Sequence, residues 1–207
     1  MKQLIAKGRA VTPSKIICIG RNYVEHIAEL GNEVPDEMVV FIKPNSAIGS
    51  KLQAYSDEPL HYETEIALMV EGGEFCAVGA GLDLTRRQLQ SKLKKSGLPW
   101  ERAKAFDGAA LFSEFVALPE TIEGLRVNLK IDDTVVQDGG VELMMYKPCE
   151  ILRELKKFLT LEDGDIVMTG TPKGVGELRA GASYCASVID AADGQQQTLV
   201  SAEWVAQ

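Results

Sequence analysis

The chain has 207 residues, 45% hydrophobic and 25% charged, with 22 Lys plus Arg against 30 Asp plus Glu, a net charge of −8 with histidine neutral. That balance argues against a general nucleic-acid binder, which needs clustered basic surface to displace counterions. The length is enough to bury one sizeable core, so a single domain over 1–207 is expected.

No apolar run approaches the roughly 18 residues of a membrane span. The start, from Met1 to Gly8, lacks the stretch of a signal peptide or transit segment, so a cytoplasmic protein without membrane partners is expected. Cys18, Cys76, Cys149 and Cys185 are dispersed with no CxxC pair and read as reduced thiols, buried or half-buried. With His26 and His61 as the only histidines, a multi-histidine zinc site is all but excluded. Any metal would be held mainly by oxygen.

In chain order, Lys15-Ile-Ile-Cys-Ile-Gly20 and Met38-Val-Val-Phe-Ile-Lys-Pro44 are short β-branched runs closed by Gly or Pro, the pattern of buried strands. Between them the spacing predicts a short helix over 22–30 with Gly31 as its stop. Residues 62–70 alternate, so a strand there carries Glu63 and Glu65 on one face. Asp83 ends a Gly-rich strand. Thr85-Arg-Arg-Gln88 has the spacing of a capping box for a polar helix that stops at Gly97. Val127, Leu129 and Ile131 alternate before Asp132-Asp133, predicting a hairpin back through Val135 and Val136. Ile151, Leu152, Leu155, Phe158 and Leu159 recur at helical spacing, predicting an amphipathic helix over 150–159. Asp163-Gly-Asp165 then turns the chain into the strand 166–168, and a last hairpin around Asp193-Gly194 joins 184–189 to 198–200. Many strands with a few separated helices favour an α+β fold on a largely antiparallel or mixed sheet.

Four features carry chemistry. Glu63-Thr64-Glu65 places two same-face carboxylates in an apolar strand, which reads as a hard-cation site for Mg²⁺, Mn²⁺ or Ca²⁺ or, more blandly, as a solvated face. Asp83 is a third carboxylate, or simply a first-turn helix residue. His61 shares the face of Glu63 and Glu65, as an extra ligand or as a bordering residue. His26 and Glu29, at i,i+3, have the layout of a general base with its orienting carboxylate, or of an exposed helical pair. The loop from Thr169 to Gly176 offers hydroxyls and close backbone approach to a carboxylate but lacks the P-loop arrangement, and a plain turn is its alternative. Lys104, among apolar neighbours, is either snorkelling or functional.

Together these segments resemble the fumarylacetoacetate hydrolase family, in its short single-domain members acting on acylpyruvates and related 2-oxo acids. The carriers are Ile19-Gly-Arg-Asn-Tyr23 with His26 and Glu29, Phe41-Ile-Lys-Pro44, Tyr62-Glu-Thr-Glu65, Leu82-Asp-Leu-Thr85, Gly97-Leu-Pro-Trp100 with Lys104, and Gly164-Asp165 through Thr169 to Gly176. The resemblance implies a mixed β-sandwich roll, a homodimer, and one Mg²⁺ or Mn²⁺ per site. It further implies that Glu63, Glu65 and Asp83 bind the metal, that His26 with Glu29 is the catalytic dyad, and that Lys104 is the active-site lysine. Arg21, Arg87, Gln90 and Thr171 fall where similar enzymes touch substrate. His61 and Asp107-Gly-Ala-Ala-Leu111 depart from the family pattern, which bears on the substrate more than on the metal.

The activity expected first is hydrolysis of a C–C bond in an acylpyruvate to pyruvate and a carboxylic acid. His26 would activate water and Lys104 would donate to developing enolate charge, bringing three carboxylates and a divalent ion to neutrality. The same site would also serve an oxaloacetate decarboxylase or a 2-oxo acid tautomerase or isomerase. A non-catalytic metal- or ligand-binding module is the reading of a different class. Retention of His26, Glu29 and Lys104 beside the carboxylates speaks against it.

Overall fold

Two β-sheets packed face to face carry the main core of the protein. The computed structural model describes residues 1–29, 36–192 and 194–207, without the side chains of residues 26–28. The chain runs through β1 (Leu4–Ala6), β2 (Arg9–Val11), β3 (Lys15–Gly20), α1 (Val24–Glu29), β4 (Val39–Pro44), β5 (Leu60–Tyr62), β6 (Thr64–Glu71) and β7 (Glu74–Asp83). It continues through β8 (Thr85–Arg86), α2 (Arg87–Lys95), α3 (Glu101–Lys104), β9 (Ala110–Phe112), β10 (Val116–Ala117), β11 (Leu125–Ile131) and β12 (Thr134–Gly140). Last come α4 (Pro148–Leu155), β13 (Ile166–Met168), β14 (Gly176–Glu177), β15 (Ser183–Asp190) and β16 (Gln197–Val205).

The larger sheet has the order β10-β7-β6-β13-β3-β4, with β9 also on β7, and only its β13–β3 pair is parallel. The second sheet, β12-β11-β15-β16, is antiparallel throughout. The β-rich, mixed-sheet α+β expectation therefore holds. Ile66, Leu68, Val78 and Leu82 of the large sheet meet Val127, Leu129, Tyr184 and Val188 of the smaller one in the main core. The opposite face of β6 and its neighbours buries Ala67, Met69, Cys18 and Met168, and Ile151 and Leu155 of α4 pack on Ile17, Ile19 and Val167. Because both faces are covered, residues 16–19 of β3 and 66–70 of β6 are apolar without a break, although successive side chains point to opposite faces.

The β11–β12 hairpin forms as expected, its two-residue turn built on Asp132 and Asp133 with φ of 47° and 68°. β15 and β16 pair as predicted, while Asp193 lies outside the described residues, as do Leu30 and Gly31, assigned above to the end of α1. Four expectations change. Residues 62–70 are not one strand: the chain breaks at Glu63, leaving β5 in a small sheet with β14 and β8 while β6 joins the large one. Thr85 does not cap α2; the Glu58 carboxylate accepts from the N–H groups of Gln88 and Leu89 at 2.7 and 3.1 Å instead. The helix over 150–159 is shorter and earlier, starting at Pro148 and leaving Phe158 62% exposed. Cys149, at its start, is exposed and not buried. Among the described residues no helix is long and apolar enough to cross a membrane.

Candidate active site

The β6–β7 pairing builds the acidic centre. Glu65 lies opposite Gly81 on an antiparallel ladder, and the amide of Asp83 donates to the carbonyl of Glu63 at 2.8 Å. Glu63 thus faces Asp83 across the strands, with Glu65 two residues further along. Carboxylate oxygens of Glu63, Glu65 and Asp83 come within 4.8 Å of one another, and all three residues are buried. Gly81 leaves room here: a Cβ would stand 2.9 Å from Met168 Cε and 3.2 Å from the Phe112 ring, so both side chains would have to shift.

Such a cluster is unfavourable without cations. Burial, and then Asp83 and Glu63, push the Glu65 carboxyl well above the usual carboxylate range, against the opposing N–H of Gly170, which donates to it at 2.7 Å. Two buried lysines offset the charge. Lys104 Nζ donates to Glu63 Oε2 at 2.8 Å, Asp83 Oδ2 at 2.9 Å and Thr85 Oγ1 at 2.6 Å, so all three of its N–H bonds are committed to the protein. Burial pulls its ammonium down, but Asp83 and Glu63 outweigh that and hold it above the ordinary lysine range. Lys43, fully buried, lies 2.9 Å from Asp83 Oδ1 and donates to the main-chain carbonyl of Lys104. Lys104 is therefore buried within the acidic cluster, with its ammonium bonded to it, and is not snorkelling. The charge balance also includes more cations than Lys104 alone.

The cleft above the triad is lined on one wall by Arg87, Gln90 and Lys94 of α2, with Arg21, Phe41, Trp100, Lys104 and Thr171 around it. Arg87 donates to Glu63 and, at 2.9 Å, to Gln90 Oε1. Thr171 follows β13 on the loop that holds Gly170, and its hydroxyl accepts from Gln137 Nε2 at 2.9 Å. Gln137, from β12 of the other sheet, also donates to Pro172 O and accepts from Thr64 N. The Thr169–Gly176 stretch is thus a fixed loop tied to both sheets, and not a plain turn.

Helix α1 docks on the same loop. Gly174 N donates to both Glu29 oxygens at 3.0 and 3.1 Å, and Lys173 lies 3.0 Å from Glu25. The His26 side chain lies outside the described residues, so the structure brings the helix of the expected dyad to the loop without describing the base itself. His61 is not part of the acidic cluster: its Nε2 lies 3.7 Å from Glu177, and burial followed by Arg87 lowers its pKa. Sequence reasoning missed Lys94 and Gln137 and saw Lys43 only within a motif. The signal available for Lys94 was its i+7 spacing from Arg87. For Gln137, a polar residue on a half-buried strand, there was none.

The donors at the triad are oxygen only, close-set and buried, and this chemistry fits a hard divalent cation such as Mg²⁺ or Mn²⁺. Residues 15–74 and 76–201 match the family described as fumarylacetoacetate (FAA) hydrolase C-terminal. The oxaloacetate tautomerase YcgM of Escherichia coli K12 is 36% identical over 186 residues, covering 81% of this chain and 85% of that protein. The mitochondrial oxaloacetate tautomerase FAHD1 of Bos taurus is 37% identical over 185 residues, covering 79% and 82%. The crystal structure of fumarylpyruvate hydrolase from Pseudomonas aeruginosa, in complex with Mn²⁺ and pyruvate, superposes with a TM-score of 0.84 at 27% identity, covering 100% of this chain and 96% of that one.

Proposed function

The chain belongs to the fumarylacetoacetate hydrolase family, and from that premise we propose that it interconverts the keto and enol forms of oxaloacetate in a divalent-metal-dependent reaction. The observation that carries this reading is a cleft in which three buried carboxylates meet a cationic wall, Arg21, Arg87 and Lys94, suited to a small dicarboxylate. The names of the relatives at 36–37% identity support the same substrate.

Glu63, Glu65 and Asp83 would hold Mg²⁺ or Mn²⁺, which when bound supplies Lewis-acid stabilisation of a 2-oxo oxygen gaining negative charge. Arg87, Gln90 and the Thr171 hydroxyl orient the adjacent carboxylate. His26, on α1, takes the proton from C3; the C–H electron pair becomes the C2–C3 double bond, and a proton returned to the C2 oxygen completes the enol. Lys104, its N–H groups held by Glu63, Asp83 and Thr85, acts as a fixed positive charge that keeps the carboxylates oriented, and direct donation to the substrate is not its part.

Hydrolysis of acylpyruvates is the second reading, favoured by the full-length likeness to the fumarylpyruvate hydrolase structure. There His26 would instead deprotonate water for attack on the C4 carbonyl. The test follows enol absorbance of oxaloacetate and, separately, pyruvate release from oxaloacetate and acetylpyruvate, each with Mg²⁺ and with chelator. Accelerated tautomerisation that chelator abolishes and that His26→Ala lacks is the expected result. Pyruvate from acetylpyruvate alone would move the protein to the hydrolases, pyruvate from oxaloacetate would make it a decarboxylase, and silence in all three would favour a binding module.

A further inference from the structure

The tautomerase reading leaves one end of oxaloacetate unassigned. Its C1 carboxylate and 2-oxo group belong at the triad with Arg87, Gln90 and Thr171, which directs the C4 carboxylate outward. The same cleft is also lined by Arg21 and Lys94, both half-buried, where Lys104 is 2% exposed.

Lys94 follows Gln90 by four residues and Arg87 by seven on α2, so the three lie on one helix face, spread over about 10.5 Å of its axis. Like charges gathered this closely repel. Burial first, and then Arg21 and Arg87, draw the Lys94 ammonium below its ordinary range. Arg21 is fixed independently. Its backbone has a φ of 55°, a conformation uncommon for a residue with a side chain. The next residue, Asn22, is 1% exposed and bonds through its amide to Thr169 O at 2.8 Å and Tyr146 O at 3.0 Å. A strained backbone held in place by a buried neighbour, at the rim of a cleft, points to a role for the side chain it aims.

We propose that Lys94, with Arg21, forms a subsite for the second carboxylate of a four-carbon 2-oxo dicarboxylate and so sets the preference for oxaloacetate over monocarboxylate 2-oxo acids. This deepens the tautomerase reading and rests on it for the placement of C1.

Calorimetric titration of the Mg²⁺-loaded protein with oxaloacetate and with pyruvate, in wild type, Lys94→Met and Lys94→Arg, tests it. Methionine keeps helix propensity and stem packing while removing the charge. Lys94→Met should weaken oxaloacetate about ten-fold and pyruvate less than about three-fold, with Lys94→Arg within about three-fold of wild type for both. Equal weakening of the two acids, or no change in either, would overturn the subsite. The outcome is separable from the activity itself: a wild type that does not accelerate tautomerisation removes the proposed function, whereas the contrast between the two acids still judges the subsite.

Discussion

Lys43 donates from its fully buried ammonium to the main-chain carbonyl of Lys104 while lying 2.9 Å from Asp83, so one lysine fixes both the other lysine's backbone and the carboxylate they share. Removing one partner of a buried pair leaves an uncompensated charge, which costs about 3–5 kcal/mol. Lys43→Met should therefore lower stability by that order in denaturant unfolding. It should also shift the position of Lys104, seen as weaker Mn²⁺ binding by electron paramagnetic resonance. Unchanged stability and unchanged Mn²⁺ affinity together would contradict this role.

Metal binding should depend on pH through the triad. The folded, metal-free protein holds a proton on Glu65 above the usual carboxylate range because burial, Asp83 and Glu63 disfavour its charge. Since the folded carboxyl binds its proton more tightly than the unfolded one, metal-free stability from this group is present at low pH and declines as pH rises through the folded value. A divalent cation must displace that proton. Apparent Mg²⁺ affinity should rise with pH above the ordinary carboxylate range, and the rise in melting temperature caused by Mg²⁺ should vanish in Glu65→Gln.

Asp165 should contribute stability of the opposite pH sense. Burial opposes its charge, but Lys15, the Ser14 hydroxyl and the N–H groups of Glu162 and Lys15 outweigh that and hold its carboxyl below the usual range. This stabilisation is complete above the ordinary aspartate value and is lost as pH falls through the lower folded value. Asp165→Asn should cost about 3 kcal/mol at neutral pH and flatten the acid limb of the stability curve. Urea titrations from pH 3 to pH 7 would read both effects.

Gly170 turns the backbone at the start of the Thr169–Gly176 loop. Its φ is 101°, a Cβ there would stand 2.8 Å from that of Asn22, and its N–H binds Glu65. Gly170→Ala should lose about 1–3 kcal/mol of stability and weaken Mg²⁺ binding together, because strain relief has to move the amide off Glu65. Thermal unfolding with and without Mg²⁺ would show whether the two losses travel together.

Much of this protein follows from its sequence because local patterns dominate where sheets are covered on both sides. The apolar stretches of β3, β6 and β13 and the turn at Asp132-Asp133 are short-range signals, and the i,i+2 spacing of Glu63 and Glu65 brings two carboxylates together whatever strand pairs with them. Asp83 could join them only through the β6–β7 register, which sets the Glu63 carbonyl against the Asp83 amide. The break at Glu63, the capping of α2 by Glu58 and the tie from Gln137 to Thr171 all join residues distant in sequence. Periodicity carries no information about such partners. Lys43 illustrates the division: its strand was legible, but a lysine at full burial is tolerable only beside Asp83 and the Lys104 carbonyl, and tertiary packing alone brings those three together.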